Sequence, residues 1–400
     1  MRDLLSHTVR NAPWALITSL CAGLSTYLIL LILSQNYGLE TSGQFRLLLS
    51  IVALIGLASL AETGKILIKN IVIGVSGLIR PLIANRLKWS LLGMTAGIVI
   101  ALVMFNKGDE LALPVLVASL LMPVSQSTRL FMQINQAKKQ FRLNAGYNVL
   151  KFGSLVVLAL VLAQLKVEPA YIFVSYFLLT AAFHVFYITR QAETFEPPIA
   201  EPRPYVTQSI KLSASGLLPA ITEHMDKFLV SYFFGLETLG LYTIAVSTGR
   251  LILNIVKPVL TIYFGSFVNQ ILRKDLIVLI FVLLTCVGLA LASLVKFYYI
   301  YVLPDKYLDG YPVSAVILCG LGCYTIGVVS YYSAVFHRES SITIPTLANV
   351  FTFGAMALYW ITALIWGGSW TLILFAASYP LRELSNLIFI TLLKARMEPA

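Results

Sequence analysis

The chain has 400 residues, of which 58% are hydrophobic and only 12% are charged, and its mean hydropathy is +0.84. Soluble domains carry about 25% charged residues, so this composition excludes an ordinary soluble protein and favours a lipid bilayer as the solvent. The formal net charge of +11 sits mostly in short loops on one side of the predicted helices. That distribution is typical of cytoplasmic loops and argues against nucleic acid as a partner.

Apolar stretches long enough to cross about 30 Å of hydrocarbon recur along the whole chain. The first begins at Trp14 and lacks a small-residue cleavage site, so we interpret it as a transmembrane helix and not as a signal peptide. The sequence therefore predicts an all-α integral membrane protein with about twelve transmembrane helices. Their approximate ranges are 14–33, 44–64, 89–106, 111–133, 147–164, 170–189, 211–234, 239–268, 276–297, 311–335, 342–366 and 369–393.

The connecting segments alternate in charge. Basic residues are concentrated in the two termini and in every second loop, whereas the loops between them hold few cations. Because basic loops remain on the cytoplasmic side, both termini are expected in the cytoplasm. The longest linker, residues 190–210, is rich in Glu and Pro and is expected to be an extended connector between two halves.

The two halves of the chain resemble each other. Tyr37–Gly43 (YGLETSG) recurs as Phe234–Gly240 (FGLETLG), and an NVxxFG pattern begins at both Asn148 and Asn349. Both pairs map one predicted helix onto the sixth helix after it, which indicates two six-helix lobes, 1–200 and 201–400, in parallel orientation around a central cavity. In the repeated motif we expect the first glycine to end one helix and Gly43 or Gly240 to begin the next.

A polar stripe follows one face of the predicted eighth helix, with members spaced alternately four and three residues apart. An ionised side chain at mid-membrane costs about 2.5–3.5 kcal/mol, so Arg250 must face protein or a water-filled cavity. Two interpretations stay open: the stripe lines a substrate cavity, or Arg250 belongs to a buried ion pair while Lys257 reaches toward an interface. The members are Thr243, Ser247, Arg250, Asn254, Lys257 and Thr261.

The predicted seventh helix carries four titratable residues on one side, Glu223, His224, Asp226 and Lys227. Glu223 and Lys227 are four residues apart and can pair with each other. Pro219, one turn earlier, is expected to bend the helix. A bent, charged helix is a candidate for gating or ion coupling, and an internal salt bridge that holds the fold is the alternative.

Further polar positions lie in the first half. Lys151 shares a face with Asn144 and Asn148 at the start of the fifth helix, Arg46 is interpreted as an interfacial anchor, and His184 as a packing histidine. The mid-membrane charges include more cations than acids, which suggests an anionic substrate because ammonium and guanidinium groups bind phosphate oxygens. A polar face of the predicted fourth helix consists of Gln126, Arg129, Gln133 and Gln136.

The segment Met225–Ala245 (MDKFLVSYFFGLETLGLYTIA) resembles the seventh-to-eighth-helix segment of polysaccharide biosynthesis flippases. These are the Wzx-type O-antigen and lipid-linked oligosaccharide transporters of the multidrug, oligosaccharidyl-lipid and polysaccharide exporter superfamily. The resemblance extends to helix number, two-lobe repeat and chain length. It implies a flippase that moves an undecaprenyl-diphosphate-linked oligosaccharide, the repeat unit of O-antigen or another surface polysaccharide, between the leaflets of a bacterial inner membrane by alternating access.

The resemblance also implies roles for the polar residues and partners for the chain. Partners would be the lipid-linked glycan, membrane lipids and other membrane proteins of polysaccharide assembly. Gating or coupling residues would be Glu223, Asp226, His224 and Pro219. Substrate-binding residues would be Arg250, Lys257, Asn254, Ser247, Lys151 and Lys227.

Two other classes of function compete with the flippase. A multidrug cation antiporter would need acidic groups to dominate the cavity, and a membrane polymerase or ligase would need catalytic acids on a sizeable loop. The sequence has no Gly-rich phosphate loop, no His-Glu-x-x-His, no Cys-x-x-Cys and no Gly-x-Ser-x-Gly. We therefore expect a transporter without catalytic residues, metal or cofactor.

Overall fold

The structure is a computed structural model that describes the backbone of residues 2–262, 274–336 and 343–397. Over these ranges the chain is helical and contains no strand. Short 3₁₀ turns occur at Leu57–Ser59, Asp305–Gly310 and Gly368–Trp370. The α-helices are α1 (Arg2–Asn36), α2 (Leu39–Gly56), α3 (Thr63–Val72), α4 (Ile79–Asn106), α5 (Ala112–Thr128), α6 (Phe131–Ala137), α7 (Phe141–Gln164), α8 (Pro169–Ala192), α9 (Arg203–Ser215), α10 (Leu217–Ile262), α11 (Lys274–Tyr301), α12 (Tyr311–Cys319), α13 (Leu321–Phe336), α14 (Thr343–Trp366) and α15 (Thr371–Met397).

Membrane-length helices dominate the described part of the chain, which confirms the predicted fold class. Ten helical runs there are long and apolar enough to cross a bilayer, and an eleventh is the pair Asp305–Cys319 and Leu321–Tyr331, bent by 48°. One run, Arg203–Leu251, has 49 residues, about twice what one crossing needs. It contains the seventh predicted span and the start of the eighth, and the end of the eighth lies outside the described residues.

The basic connecting segments contain more helix than predicted. Residues 65–88 were expected to be a loop, but α3 begins at Thr63 and buries Ile66, Leu67 and Ile68. It packs against α6 and α9. The error arose because a ten-residue amphipathic helix is too short and too polar to register as a membrane span.

The repeated motif adopts the same unusual backbone in both copies. Gly38 has φ 103° and ψ 168°, and Gly235 has φ 84° and ψ 173°, a region open almost only to glycine. The next helix begins directly after Gly38, whereas Gly43 and Gly240 lie inside helices and are buried. The prediction that Gly43 and Gly240 begin these helices is therefore wrong, because the first glycine alone makes the turn.

Contacts between residues divide the chain into two compact units. One is Leu28–Ala220, and the other combines the described residues of Met1–Tyr27 with those of Ile221–Ala400. The division does not test the two predicted six-helix lobes. Their structural similarity and their boundary at residue 200 stay predictions.

Within the unit Leu28–Ala220, α4 packs along α5, and α8 packs against α5 and α7. Gly93 and Gly97, one turn apart on α4, permit the close approach of α5. A methyl group on Gly97 would lie 2.0 Å from Ser119 Oγ. The connector after α8 also packs onto this unit, since the Ile199 amide donates to the Gly77 carbonyl at 3.3 Å.

Within the unit that contains Ile221–Ala400, α15 packs against α12, α13 and α14. Gly320 separates α12 from α13, and a methyl group there would lie 2.3 Å from Pro380 Cβ. The first part of α1 joins this unit through Tyr27, whose hydroxyl lies 2.7 Å from the Tyr298 hydroxyl. These contacts bring α10 and α15 together around the charged residues of α10.

Exposed aromatic side chains mark helix ends that the predicted topology places outside the cytoplasm. Tyr232 precedes the Gly235 break, Tyr301 ends α11, Trp366 ends α14 and Trp370 precedes α15, and all four are strongly exposed. Tyrosine and tryptophan favour the membrane–water interface. Their positions therefore agree with a bilayer that covers the helices between these ends and the basic loops.

A substitution at the Gly235 turn tests the repeated break. We expect Gly235→Ala to destabilise the protein by about 1–3 kcal/mol, because a side chain is strained at that backbone conformation. Gly354→Ala is the matched control, since Gly354 has ordinary helical geometry and free space around it. Thermal unfolding in detergent measures both, and equal unfolding temperatures for the two variants would contradict the assignment.

Candidate functional site

Four buried side chains form a hydrogen-bonded cluster in the unit that contains Ile221–Ala400. The Asp226 cluster consists of Asp226 and Lys227 on the first part of α10, Tyr242 after the Gly235 break, and Tyr379 on α15. Lys227 Nζ lies 2.7 Å from Asp226 Oδ1, while Tyr242 and Tyr379 donate to Asp226 Oδ2 at 2.8 and 2.9 Å. The ion pair is almost completely inaccessible, with side-chain exposures of 0% and 2%.

The ammonium group of Lys227 has no donor left over. It has three N–H donors, which reach the Asp226 carboxylate, the Tyr379 hydroxyl at 2.5 Å and the Glu223 backbone carbonyl. Its predicted carboxylate partner was Glu223, but Asp226 takes that place. A saturated, inaccessible ammonium holds α10 to α15 and is poorly suited to the predicted role in substrate binding.

A second ion pair lies beside this cluster and is more accessible. Arg250 Nη2 is 2.6 Å from Glu223 Oε1, with side-chain exposures of 17% for Arg250 and 33% for Glu223. The guanidinium also lies 5.0 Å from the ring centre of Tyr379, a cation–π distance. Arg250 therefore has a fixed carboxylate partner, as one of the two sequence interpretations required. The ion pair nevertheless remains partly accessible.

Arg382 and Glu383 extend the charged network along α15. Their side chains pair at 2.7 Å, and Arg382 lies within electrostatic range of both Glu223 and Arg250. Sequence reasoning missed this pair, although two adjacent charges inside a predicted span were a signal for it. The network joins three cations to three acids and is electrically balanced.

The other polar residues predicted on the seventh and eighth spans differ in burial. Thr243 is buried and bonds to backbone carbonyls of its own helix, and Ser247 and His224 are half-buried. The side chains of Asn254 and Lys257 lie outside the described residues. Of the polar stripe, the structure therefore describes the side chains from Thr243 to Arg250 only.

Pro219 lies in the first turn of α10, where its missing N–H needs no partner. The helical break falls at Gly216, between α9 and α10. A methyl group on Gly216 would meet Glu62 Cγ at 2.8 Å. Pro219 and Gly216 both belong to the unit Leu28–Ala220, whereas the charged residues of α10 belong to the other unit.

The unit Leu28–Ala220 holds a different set of charges. Lys151 is buried, and its Nζ lies 4.0 Å from the ring centre of Phe152 and 5.2 Å from that of Tyr147. Electrostatic contacts connect Lys151 with Arg129 and His184. Among the described side chains, Lys151 and Arg129 have no carboxylate partner.

The two asparagines predicted beside Lys151 serve the packing of α6, α7 and α8. Asn144 accepts from Asn135 and donates to the Met132 carbonyl, both at 2.9 Å. Asn148 donates to the Asn144 carbonyl, and Gln191 donates to Asn135. The polar face of the fourth predicted helix is divided between α5 and α6, with the exposed Arg129 where α5 ends.

Arg46 and Arg86 are further cations of this unit, and neither forms a salt bridge among the described side chains, although Arg86 lies within electrostatic range of Glu62. Arg86 is buried and donates to Gln126 at 3.3 Å, while its Nε has no partner. Arg46 is half-buried and its Nε is likewise unpaired. Arg86 precedes the predicted third span, 89–106, because that span begins ten residues later than α4 does in the structure.

The buried pair of the Asp226 cluster makes a stability prediction. We expect Asp226→Asn or Lys227→Met alone to destabilise the fold by about 3–5 kcal/mol, because each leaves an uncompensated buried charge. The double variant is expected to be more stable than either single variant. Protein yield and unfolding temperature in detergent measure this, with the exposed Lys296→Met as a control expected within about 0.5 kcal/mol of wild type.

The partly exposed pair of Arg250 and Glu223 leads to the opposite prediction for stability. We expect Arg250→Ala to lower stability by about 1 kcal/mol or less, because Glu223 keeps access to water. Protein level should therefore stay near normal, so a loss of transport would report on substrate binding. A low level that Glu223→Gln restores would instead show a structural role for Arg250.

Comparisons with known proteins agree with this architecture. Residues 87–272 match the family model described as polysaccharide biosynthesis protein. No curated protein matches the chain significantly by sequence. A mutant of the Vibrio cholerae MATE transporter VcmN is 11% identical and superposes with a TM-score of 0.65 over 100% of this chain and 98% of that chain.

Two further solved structures are similar. An outward-facing multidrug resistance MATE family transporter of the MOP superfamily is 12% identical, with a TM-score of 0.64 over 98% of this chain and 97% of that chain. The MATE multidrug transporter DinF-BH is 10% identical, with a TM-score of 0.65 over 98% of this chain and 95% of that chain. The family match over residues 87–272 supports the resemblance of this chain to polysaccharide biosynthesis proteins, and the solved structures show that it shares the fold of MATE transporters.

Proposed function

We propose that the protein is a flippase for an undecaprenyl-diphosphate-linked oligosaccharide, such as an O-antigen or other surface polysaccharide repeat unit. It would move this lipid from the cytoplasmic to the periplasmic leaflet of a bacterial inner membrane by alternating access, with both termini in the cytoplasm. The family match to polysaccharide biosynthesis and the transporter fold support the class. Reporter fusions at the C-terminus and in the 190–210 linker test the orientation.

The charge balance of the described spans carries the proposal for an anionic substrate. The acids in the span interiors, Glu223, Asp226 and Glu383, all take part in ion pairs. Glu62, at the end of the second predicted span, pairs with Lys65, while Glu40 and Glu237 are exposed beside the glycine breaks. The unpaired charges in the span interiors are therefore positive. They are Arg46, Arg129 and Lys151, all in the unit Leu28–Ala220. Arg86 of the same unit lies within electrostatic range of Glu62.

An anion in transit would supply the negative charge that these cations lack. A diphosphate suits them, because guanidinium and ammonium groups bind its oxygens strongly where water is scarce. The membrane potential also favours the direction of transport. With the interior negative, outward movement of an anion gains about 2.3 kcal/mol per charge per 100 mV, so no ATPase module is required.

A multidrug cation antiporter is the second candidate, and the fold of the solved MATE transporters favours it. Such a protein needs an acid that exchanges its cation. The interior acids described above already hold an internal lysine or arginine, which argues against this alternative. The third candidate, a polymerase or ligase, has no support from a large polar loop among the described residues.

Cells that lack the protein test the proposal. We expect lipid-linked intermediates to accumulate on the inner face of the membrane, and wild-type protein to restore their appearance on the outer face. Arg250→Ala at normal protein level is expected to restore it poorly, and Arg250→Lys partially, because lysine keeps the charge but loses the two-pronged donor geometry. Efflux of cationic drugs without any effect on lipid-linked intermediates would favour the antiporter instead.

A further inference from the structure

The unit Leu28–Ala220 contains a basic cluster within its membrane-length helical runs, made of Arg129, Lys151, Tyr147, His184 and Arg86. His184 is its centre, since it lies within electrostatic range of Lys151, Arg129 and Arg86. Its ring centre is 6.5 Å from that of Tyr147, and Lys151 Nζ lies 5.2 Å from the Tyr147 ring centre. Helices α4, α7 and α8 and the end of α5 therefore bring these side chains into one neighbourhood.

Lys151 is the member of the basic cluster whose buried charge most needs compensation. It lies about 15 Å along α7 from Phe141, near the middle of the span, and is only 6% exposed. Its described neighbours are the rings of Phe152 and Tyr147 and the positive Arg129. None of these neutralises an ammonium charge, in contrast to Asp226 beside Lys227.

Besides Arg86 Nε, two buried polar atoms in the basic cluster lack hydrogen-bond partners. His184 Nδ1 lies 3.1 Å from the Ser125 carbonyl oxygen, and a carbonyl only accepts, so Nδ1 carries the proton. His184 Nε2 and the Tyr147 hydroxyl are both buried without a hydrogen-bond partner. Buried polar groups are normally paired, so unpaired atoms beside unneutralised cations indicate a place where a ligand binds.

We propose that the basic cluster binds a phosphate group. Lys151 and Arg129 would supply charge, the Tyr147 hydroxyl would donate a hydrogen bond, and His184, with a second proton taken up beside the anion, would donate from Nε2. Several donors of different geometry suit a tetrahedral oxyanion better than a small halide. Arg129 is exposed and gives the ligand an approach, whereas Lys151 and His184 form the buried end of the site.

The proposal revises two interpretations from the sequence. His184, interpreted as a packing histidine, becomes a ligand-binding residue, and Lys151 acts with new partners instead of with Asn144 and Asn148. The link to a lipid diphosphate rests on the proposed function, but phosphate binding itself does not. Soluble phosphates and lipid headgroups share this chemistry, so the experiment must distinguish them.

A stability measurement separates a ligand site from a structural one. We expect Lys151→Met to raise the unfolding temperature of purified protein by about 2 °C or more, because it removes a buried charge that no partner offsets. Lys227→Met is expected to lower it, because it leaves the Asp226 carboxylate buried without its counter-ion. A lower unfolding temperature for Lys151→Met would overturn the claim that this ammonium lacks a partner.

Binding is then measured on purified protein in detergent with inorganic pyrophosphate and, separately, with a polyprenyl diphosphate in mixed micelles. We expect Lys151→Met to weaken pyrophosphate binding about tenfold or more, and Tyr147→Phe about threefold to tenfold. Lys107→Met, which removes an exposed lysine after α4 in the same unit, should bind like wild type.

Each outcome decides the proposal. Tighter binding of the polyprenyl diphosphate than of pyrophosphate, lost in Lys151→Met, supports a lipid headgroup as the source. Pyrophosphate binding alone, lost in the same variant, supports a soluble phosphate. No binding of either probe, or equal binding by wild type and Lys151→Met, overturns the proposal. Because this assay needs no transport, a failed flippase assay would refute the proposed function while leaving the phosphate site standing.

Discussion

A charge removed from water into the interior of a membrane protein needs an opposite charge or a bound ligand, and the polar architecture of this chain follows from that constraint. The Asp226 cluster satisfies it completely. Every donor of the Lys227 ammonium has an acceptor, and both carboxylate oxygens of Asp226 accept hydrogen bonds. Removing one member leaves a buried ion, so this cluster behaves as a structural joint between α10 and α15.

The two units differ in how their buried cations are neutralised. The unit that contains Ile221–Ala400 balances its cations with acids, through Asp226, Glu223 and Glu383. The unit Leu28–Ala220 keeps Lys151 buried beside other cations. Stability alone would disfavour the second arrangement, and residues that reduce stability without compensation are characteristic of functional sites. The contrast makes Lys151 a stronger candidate for ligand binding than Lys227, although both are lysines inside a membrane helix.

Glycines decide where the helices break and therefore where polar groups can gather. Gly235 turns the chain so that Tyr242 can reach back to Asp226, which precedes the break. Gly320 divides α12 from α13 where Pro380 of α15 packs. Gly97 lets α5 approach α4 closely. In each case the absence of a side chain on the glycine allows the backbone geometry on which the neighbouring contacts depend.

The sequence by itself determined the membrane class, the approximate position of most spans and the two copies of the glycine turn, because hydropathy, loop charge and backbone permissiveness are local properties. It also identified Glu223, Asp226, Lys227, Arg250 and Lys151, because any ionised residue inside a span is costly. Only the tertiary structure decided their partners. Asp226 takes Lys227 although adjacent helical residues normally diverge, since Tyr379 from α15 completes the cluster. His184 looked isolated along α8, and only the packing of α4, α5 and α7 around it placed it among cations.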